Sequence, residues 1–122
     1  MKKYLSGLNS ILPILTFAII CILSCNSIDI PDGAPDCLKE KIKEFKKSMP
    51  CEGATADEYV FQNMNVYVMD VGPGCCCDRG SVVYDQNCNL LGSLGGFTGN
   101  LEINGVKFSE NAEYVRTIWE KK

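Results

Sequence analysis

Cysteine placement constrains this chain more than any other feature. Of eight cysteines in 122 residues, six stand at Cys37, Cys51, Cys75, Cys76, Cys77 and Cys88, three of them consecutive. In an exported domain of about 100 residues an even set reads as a disulfide framework, because so small a core is marginal without cross-links. Three bridges are the expected number.

That reading requires export, and the amino terminus supplies the signal for it. Lys2 and Lys3 give a positive start, Ile11 to Leu23 an almost unbroken apolar run, and no acidic residue precedes Asp29. A membrane-spanning helix needs about 20 apolar residues, whereas this run is shorter, carries Pro13 and gives way to Asn26 and Ser27. Residues 1–24 are therefore expected to be a signal peptide. Ile22, Leu23, Ser24 and Cys25 resemble the lipobox of bacterial lipoproteins, which implies cleavage between Ser24 and Cys25 and acylation of Cys25. Cys21 follows the bulky Ile20 and is expected to leave with the signal. Asn26 stands where an aspartate would retain an enteric lipoprotein at the inner membrane, so the outer membrane is the favoured location.

Loss of residues 1–24 removes two lysines and no acid. The mature chain keeps 10 basic against 15 acidic residues, a balance of −5, which argues against nucleic acid. Its size, about 98 residues, suits one domain. Histidine is absent, which removes histidine triads, cysteine–histidine pairs and most catalytic zinc sites.

Residues 25–35, with two prolines, a glycine and two aspartates, read as a flexible tether, and 36–122 as a single domain. Leu38, Ile42, Phe45 and Met49 recur at helical spacing after Pro35 and Asp36, which predicts an amphipathic helix ended by Pro50. Tyr59 to Val71 reads as two short strands or one bent one, with Val66 to Met69 covered on both faces. Ser81 to Tyr84 is a third strand, turned by Asp85 to Asn87, with Asn89 to Leu94 returning beside it. Asn104 and Gly105 close a hairpin between Leu101–Ile103 and Val106–Phe108. Ala112, Val115, Ile118 and Trp119 then predict a final helix, capped by Ser109 and running to about Lys121.

These elements limit the cysteine pairings. A helix from Cys37 to about Met49 holds Cys37 and Cys51 about 20 Å apart, beyond the ~7 Å reach of a disulfide. With pairs inside the triplet set aside as strained, one of Cys75, Cys76 and Cys77 must join Cys88, and the other two must join Cys37 and Cys51. Six of fifteen connectivities remain.

The triplet also admits a sharper reading, in which three thiolates beside Asp78 bind a soft metal or exchange thiols. Missing Cys-x-x-Cys spacing and missing histidine argue against it. The glycine loop Gly92 to Gly99 is read as tight turning rather than a phosphate cradle, since no lysine follows at phosphate-loop spacing. Asp70 and Asp78 are the available carboxylates, but no acid, base and nucleophile set accompanies them.

Cys37-Leu38, Val66-Tyr67, Cys76-Cys77-Asp78, Tyr84-Asp85-Gln86-Asn87-Cys88 and Gly95-Gly96-Phe97-Thr98-Gly99 together resemble an uncharacterised family of small bacterial lipoproteins and secreted domains. The resemblance covers Cys37 to Gly99. Family members often carry a further cysteine after the Gly-Gly segment, whereas this chain lacks it, carries an extra Cys75, and adds a hairpin and helix. The resemblance implies no activity. The expected molecule is an α+β domain, a small disulfide-stabilised antiparallel sheet with an N-terminal and a C-terminal helix. It is expected to be noncatalytic, without cofactor or metal, held to a membrane through Cys25 and engaging an envelope partner. An inhibitor or ligand-binding role for the loop Val71 to Arg79 is one alternative, and a thiol-based metal-binding or redox role for the cysteine triplet is the other.

Overall fold

Pro35, extended at φ −67 and ψ 143, leads directly into helix α1, Asp36–Lys47, in a computed structural model that describes residues 28–75 and 79–122. Asp36 sits in the first turn and Lys46 and Lys47 in the last, where each charge opposes the helix dipole. Leu38 and Ile42 are fully buried, and Phe45 packs partly buried beside them. Met49 departs from that expected face. The helix closes at Ser48, whose amide and hydroxyl both donate to the Phe45 carbonyl, and Met49 turns out at φ 53, 80% exposed.

Strands β1, Thr55–Phe61, and β2, Met64–Asp70, form an antiparallel hairpin. Gln62 and Asn63 make its two-residue turn at φ 50 and 62, the double left-handed geometry that matches strand twist. β3, Ser81–Tyr84, and β4, Leu90–Leu94, follow, then the small hairpin β5, Glu102–Ile103, and β6, Val106–Lys107. A single helical turn, α2, Phe108–Asn111, leads into β7, Glu113–Glu120. The five-stranded sheet runs β4-β3-β2-β1-β7, all antiparallel, so β2 is central, and Val66 to Met69 are all buried.

Alternation along the strands divides the core between the two faces. On one face α1 covers Ala56, Tyr67, Met69 and Ile118. On the other, β5, β6 and α2 bring Ile103 and Phe108 onto Phe61, Val66, Val68 and Val83. The fold is α+β, as expected, with three corrections.

The final helix is a strand. Only Phe108–Asn111 is helical, and Glu113–Glu120 pairs along β1. Tyr114, Val115, Thr117, Ile118 and Trp119 are β-branched or aromatic, and the hydrogen-bonding edge of β1 stabilises them as a strand despite apolar residues at helical spacing.

The stretch read as a tether is partly docked. Ile28, Ile30 and Ala34 pack against the helix-side core, the Ala34 amide donates to the Pro31 carbonyl, and Arg116 Nη1 donates to the Asp32 carbonyl at 3.0 Å. Three small or branched apolar residues among polar ones were enough to seat it.

The bridges also differ. Cys37 joins Cys88 and Cys51 joins Cys75, with alpha carbons 6.1 and 5.3 Å apart. Cys37 and Cys51 are indeed unjoined to each other, but none of the six retained connectivities contains a bond between Cys37 and Cys88. Excluding pairs within the triplet forced Cys88 onto it, whereas the antiparallel return of β4 places the 85–89 turn at the start of α1. Cys76, Cys77 and Asp78 lie outside the described residues, as do the signal segment 1–24, Ser24 and Cys25.

Candidate functional site

Three loops meet at one end of the sheet, and covalent and close-packing constraints fix them to one another. The Cys51–Cys75 bridge ties the chain after α1 to the β2–β3 loop, and the Cys51 amide donates to the Val71 carbonyl at 2.9 Å. Lys121 closes the same corner, its amide donating to Ala54 O and its ammonium to Pro50 O. Gly80 then passes so close to the next loop that a Cβ there would stand 2.5 Å from Leu94 O and 3.3 Å from Gly95 C. Only glycine permits that approach.

The third loop, 95–100, is closed by Gly95 N to Asn100 O at 2.6 Å and Gly99 N to Gly96 O at 3.0 Å. The Asn100 side chain donates to Ser93 O and Glu102 O and accepts from the Glu102 amide. Phe97 stands at its tip, 91% exposed. The loop leads into β5 and not a helix, so its glycines serve turning, as expected.

The chemistry suggested for the cysteine triplet changes with the bridging. Cys75 sulfur is bonded to Cys51, so it is no thiolate while the bridge stands, and three adjacent metal-binding thiolates do not form. Asp70 is similarly committed: its carboxylate accepts from Ser81 Oγ at 2.6 Å and from the Gly72 amide at 2.8 Å, fixing both ends of the β2–β3 loop. Among the described residues no group of three or more His, Cys, Asp or Glu side chains is placed to hold a metal.

Two polar assemblies escaped sequence reasoning. The first is Glu58, 3% exposed on the helix-side face. Arg116 Nε donates to its Oε2 at 2.6 Å and Asn65 Nδ2 to its Oε1 at 3.0 Å. Burial pushes the neighbouring Tyr67 phenol up from its ordinary value; Glu58 adds to the rise and Arg116 opposes it. Glu58 and Arg116 lie 58 residues apart, and only strand pairing brings them opposite each other.

The second is Asp85, which organises the turn that carries Cys88. Its carboxylate accepts from the amides of Asn87 and Asn89 and from the Asn89 side chain. The Asn89 amide, then its side chain and the Asn87 amide, hold the carboxyl below its ordinary value, with slight burial opposing. A depressed folded-state pKa stabilises the turn above the ordinary carboxylate value of about 3.9, and that contribution is lost as pH falls through the depressed one. Amide exchange at Asn87 and Asn89 is expected to accelerate on acidification in the wild type and to lose that dependence in Asp85→Asn. Equal pH dependence in both proteins would remove Asp85 from this role.

Residues 40–121 match the family described as Domain of unknown function (DUF6970). The match runs through β5, β6 and β7, so the C-terminal segment expected as an addition lies within the family's own extent. No curated protein and no solved structure matches the chain.

Proposed function

The chain belongs to this family, and on that premise we propose that it is a lipid-anchored, noncatalytic module of the bacterial cell envelope that engages a partner through the loop end carrying Phe97. The observation that carries the reading is the pair of bridges, Cys37–Cys88 and Cys51–Cys75, in a chain whose apolar run Ile11 to Leu23 is followed by Ser24 and Cys25. Disulfides persist in envelope compartments and are rare in the cytosol. Cys25 acylation holds the module to a membrane, the outer membrane where sorting follows the enteric pattern, and the bridges keep its loop end in one shape.

A second reading, an inhibitor or ligand-binding domain acting through Val71 to Arg79, is favoured by one feature. Cys51–Cys75 and the Gly80 contact clamp that loop at both ends, as a preorganised binding loop requires.

Labelling with an alkyne-bearing fatty acid in a bacterial host that processes lipoproteins tests the anchor. The wild type is expected to incorporate label and to give a mature mass beginning at acylated Cys25, and Cys25→Ser to do neither. Thiol counting under denaturing, nonreducing conditions tests the compartment. At most two reactive thiols are expected from the mature protein, and four or more would refute the bridges in the exported form.

A further inference from the structure

The docked stretch at the amino terminus sets how far the domain can stand from its anchor. Ile28 and Ile30 already pack on the helix-side core, and Arg116 holds the Asp32 carbonyl. Only Asn26 and Ser27 separate Cys25 from Ile28. Three fully extended residue steps reach about 11 Å, whereas a free chain from Cys25 to Pro35 would reach about 36 Å.

We infer that the folded domain is seated directly on the lipid surface, with the docked stretch at the interface, rather than held away from it on a tether. This rests on the acylation of Cys25 proposed above. The chemistry of the stretch identifies what holds it there. Asp29, Asp32 and Asp36 are exposed and no basic residue lies between Ile28 and Asp36. Arg116, the cation nearest to it in the contacts above, is committed to Glu58 and the Asp32 carbonyl. The stretch itself therefore offers no cation to anionic headgroups, so the hold comes from the acyl chains. A partner of this domain must then reach its loop end within a domain's height of the membrane.

Trp119 is the sole tryptophan and packs on Phe45 in the same core cluster as Ile28, so it reports the domain's position without labelling. The native lipidated protein would be placed in phosphatidylcholine vesicles carrying dansyl-labelled phosphatidylethanolamine. It would be compared with a variant bearing a glycine-serine spacer of about 20 residues between Ser27 and Ile28, which adds an r.m.s. reach of about 25 Å. Energy transfer from Trp119 is expected to be strong in the native protein and to fall about twofold or more with the spacer. Flotation with the vesicles reads the anchor separately. A protein that floats but transfers equally with and without the spacer would overturn the close seating alone; one that does not float would overturn the anchor and the seating with it.

Discussion

Replacing both cysteines of the longer bridge, Cys37→Ser with Cys88→Ser, is expected to destabilise the domain by about 3.5 kcal/mol, the chain-entropy cost of reopening a loop that the intact inner bridge shortens to about 28 residues. That bridge spans 51 residues and encloses the 24 spanned by Cys51–Cys75, whose loss with the outer bridge intact costs about 3 kcal/mol by the same relation. Position widens the difference. Cys37 precedes the fully buried Leu38 in the first turn of α1, so its bridge fixes the end of the helix that caps one face of the core. Cys51 lies beyond the helix, in a corner already held by Lys121 and the Val71 carbonyl. Urea unfolding of both double-serine variants, under nonreducing conditions, is expected to rank Cys37–Cys88 as the costlier loss, with its Tm lowered by roughly 15 °C or more. A smaller loss than that of the Cys51 and Cys75 variant would mean that α1 is held by packing alone.

The strands were legible wherever alternation and turn chemistry coincided. Val66 to Met69 read as a doubly covered strand because all four are apolar, and Asn104-Gly105 read as a hairpin because both positions tolerate positive φ; they stand at 53 and 73. Segment 113–120 is ambiguous in sequence because the spacing of Val115, Ile118 and Trp119 also suits a helix. What decides it is nonlocal: without this segment β1 would carry an unpaired edge, and the ladder from Thr55 to Val60 is formed by residues more than 50 positions away. No window of adjacent residues contains that information.

The loop end was half legible for a similar reason. The glycines after Leu94 announced a turn, and the cysteines announced cross-links. The contact of Gly80 with Leu94 and Gly95 arises only when β3 and β4 pair, and it joins the two loops. The pairing of Cys37 with Cys88 is nonlocal in the same way. The partner of Cys88 is set by the turn at Asp85, which ring strain within the triplet does not govern. Ile28, Ile30 and Ala34 were passed over because prolines and aspartates dominate their neighbourhood, although three apolar side chains suffice to dock a short segment.

The second large effect is expected at Arg116. Its guanidinium satisfies one oxygen of a carboxylate that is 3% exposed, and its other arm holds the Asp32 carbonyl. Arg116→Ala leaves Glu58 buried with only neutral partners, Asn65 and the neighbouring Tyr67 hydroxyl. Breaking a buried pair costs about 3 to 5 kcal/mol, and because the Arg116 side chain is itself about a third exposed, the expected loss lies near 3 kcal/mol. Arg116→Lys keeps a charge but not the forked geometry, so it is expected to recover only part of that loss. Replacing both partners, Glu58→Leu with Arg116→Met, removes the stranded charge and is expected to cost less than Arg116→Ala alone, since two apolar side chains carry no desolvation penalty. Denaturant unfolding of the wild type, the double variant and its single components, Glu58→Leu and Arg116→Met, measures the coupling. The readout that separates this pair from ordinary packing is proteolysis of residues 28–35: Arg116→Ala frees the Asp32 carbonyl and is expected to speed cleavage there, and Glu58→Leu with Arg116→Met to speed it as well even where stability returns. If cleavage followed stability alone, the Asp32 contact would play no part in holding the amino-terminal stretch to the sheet.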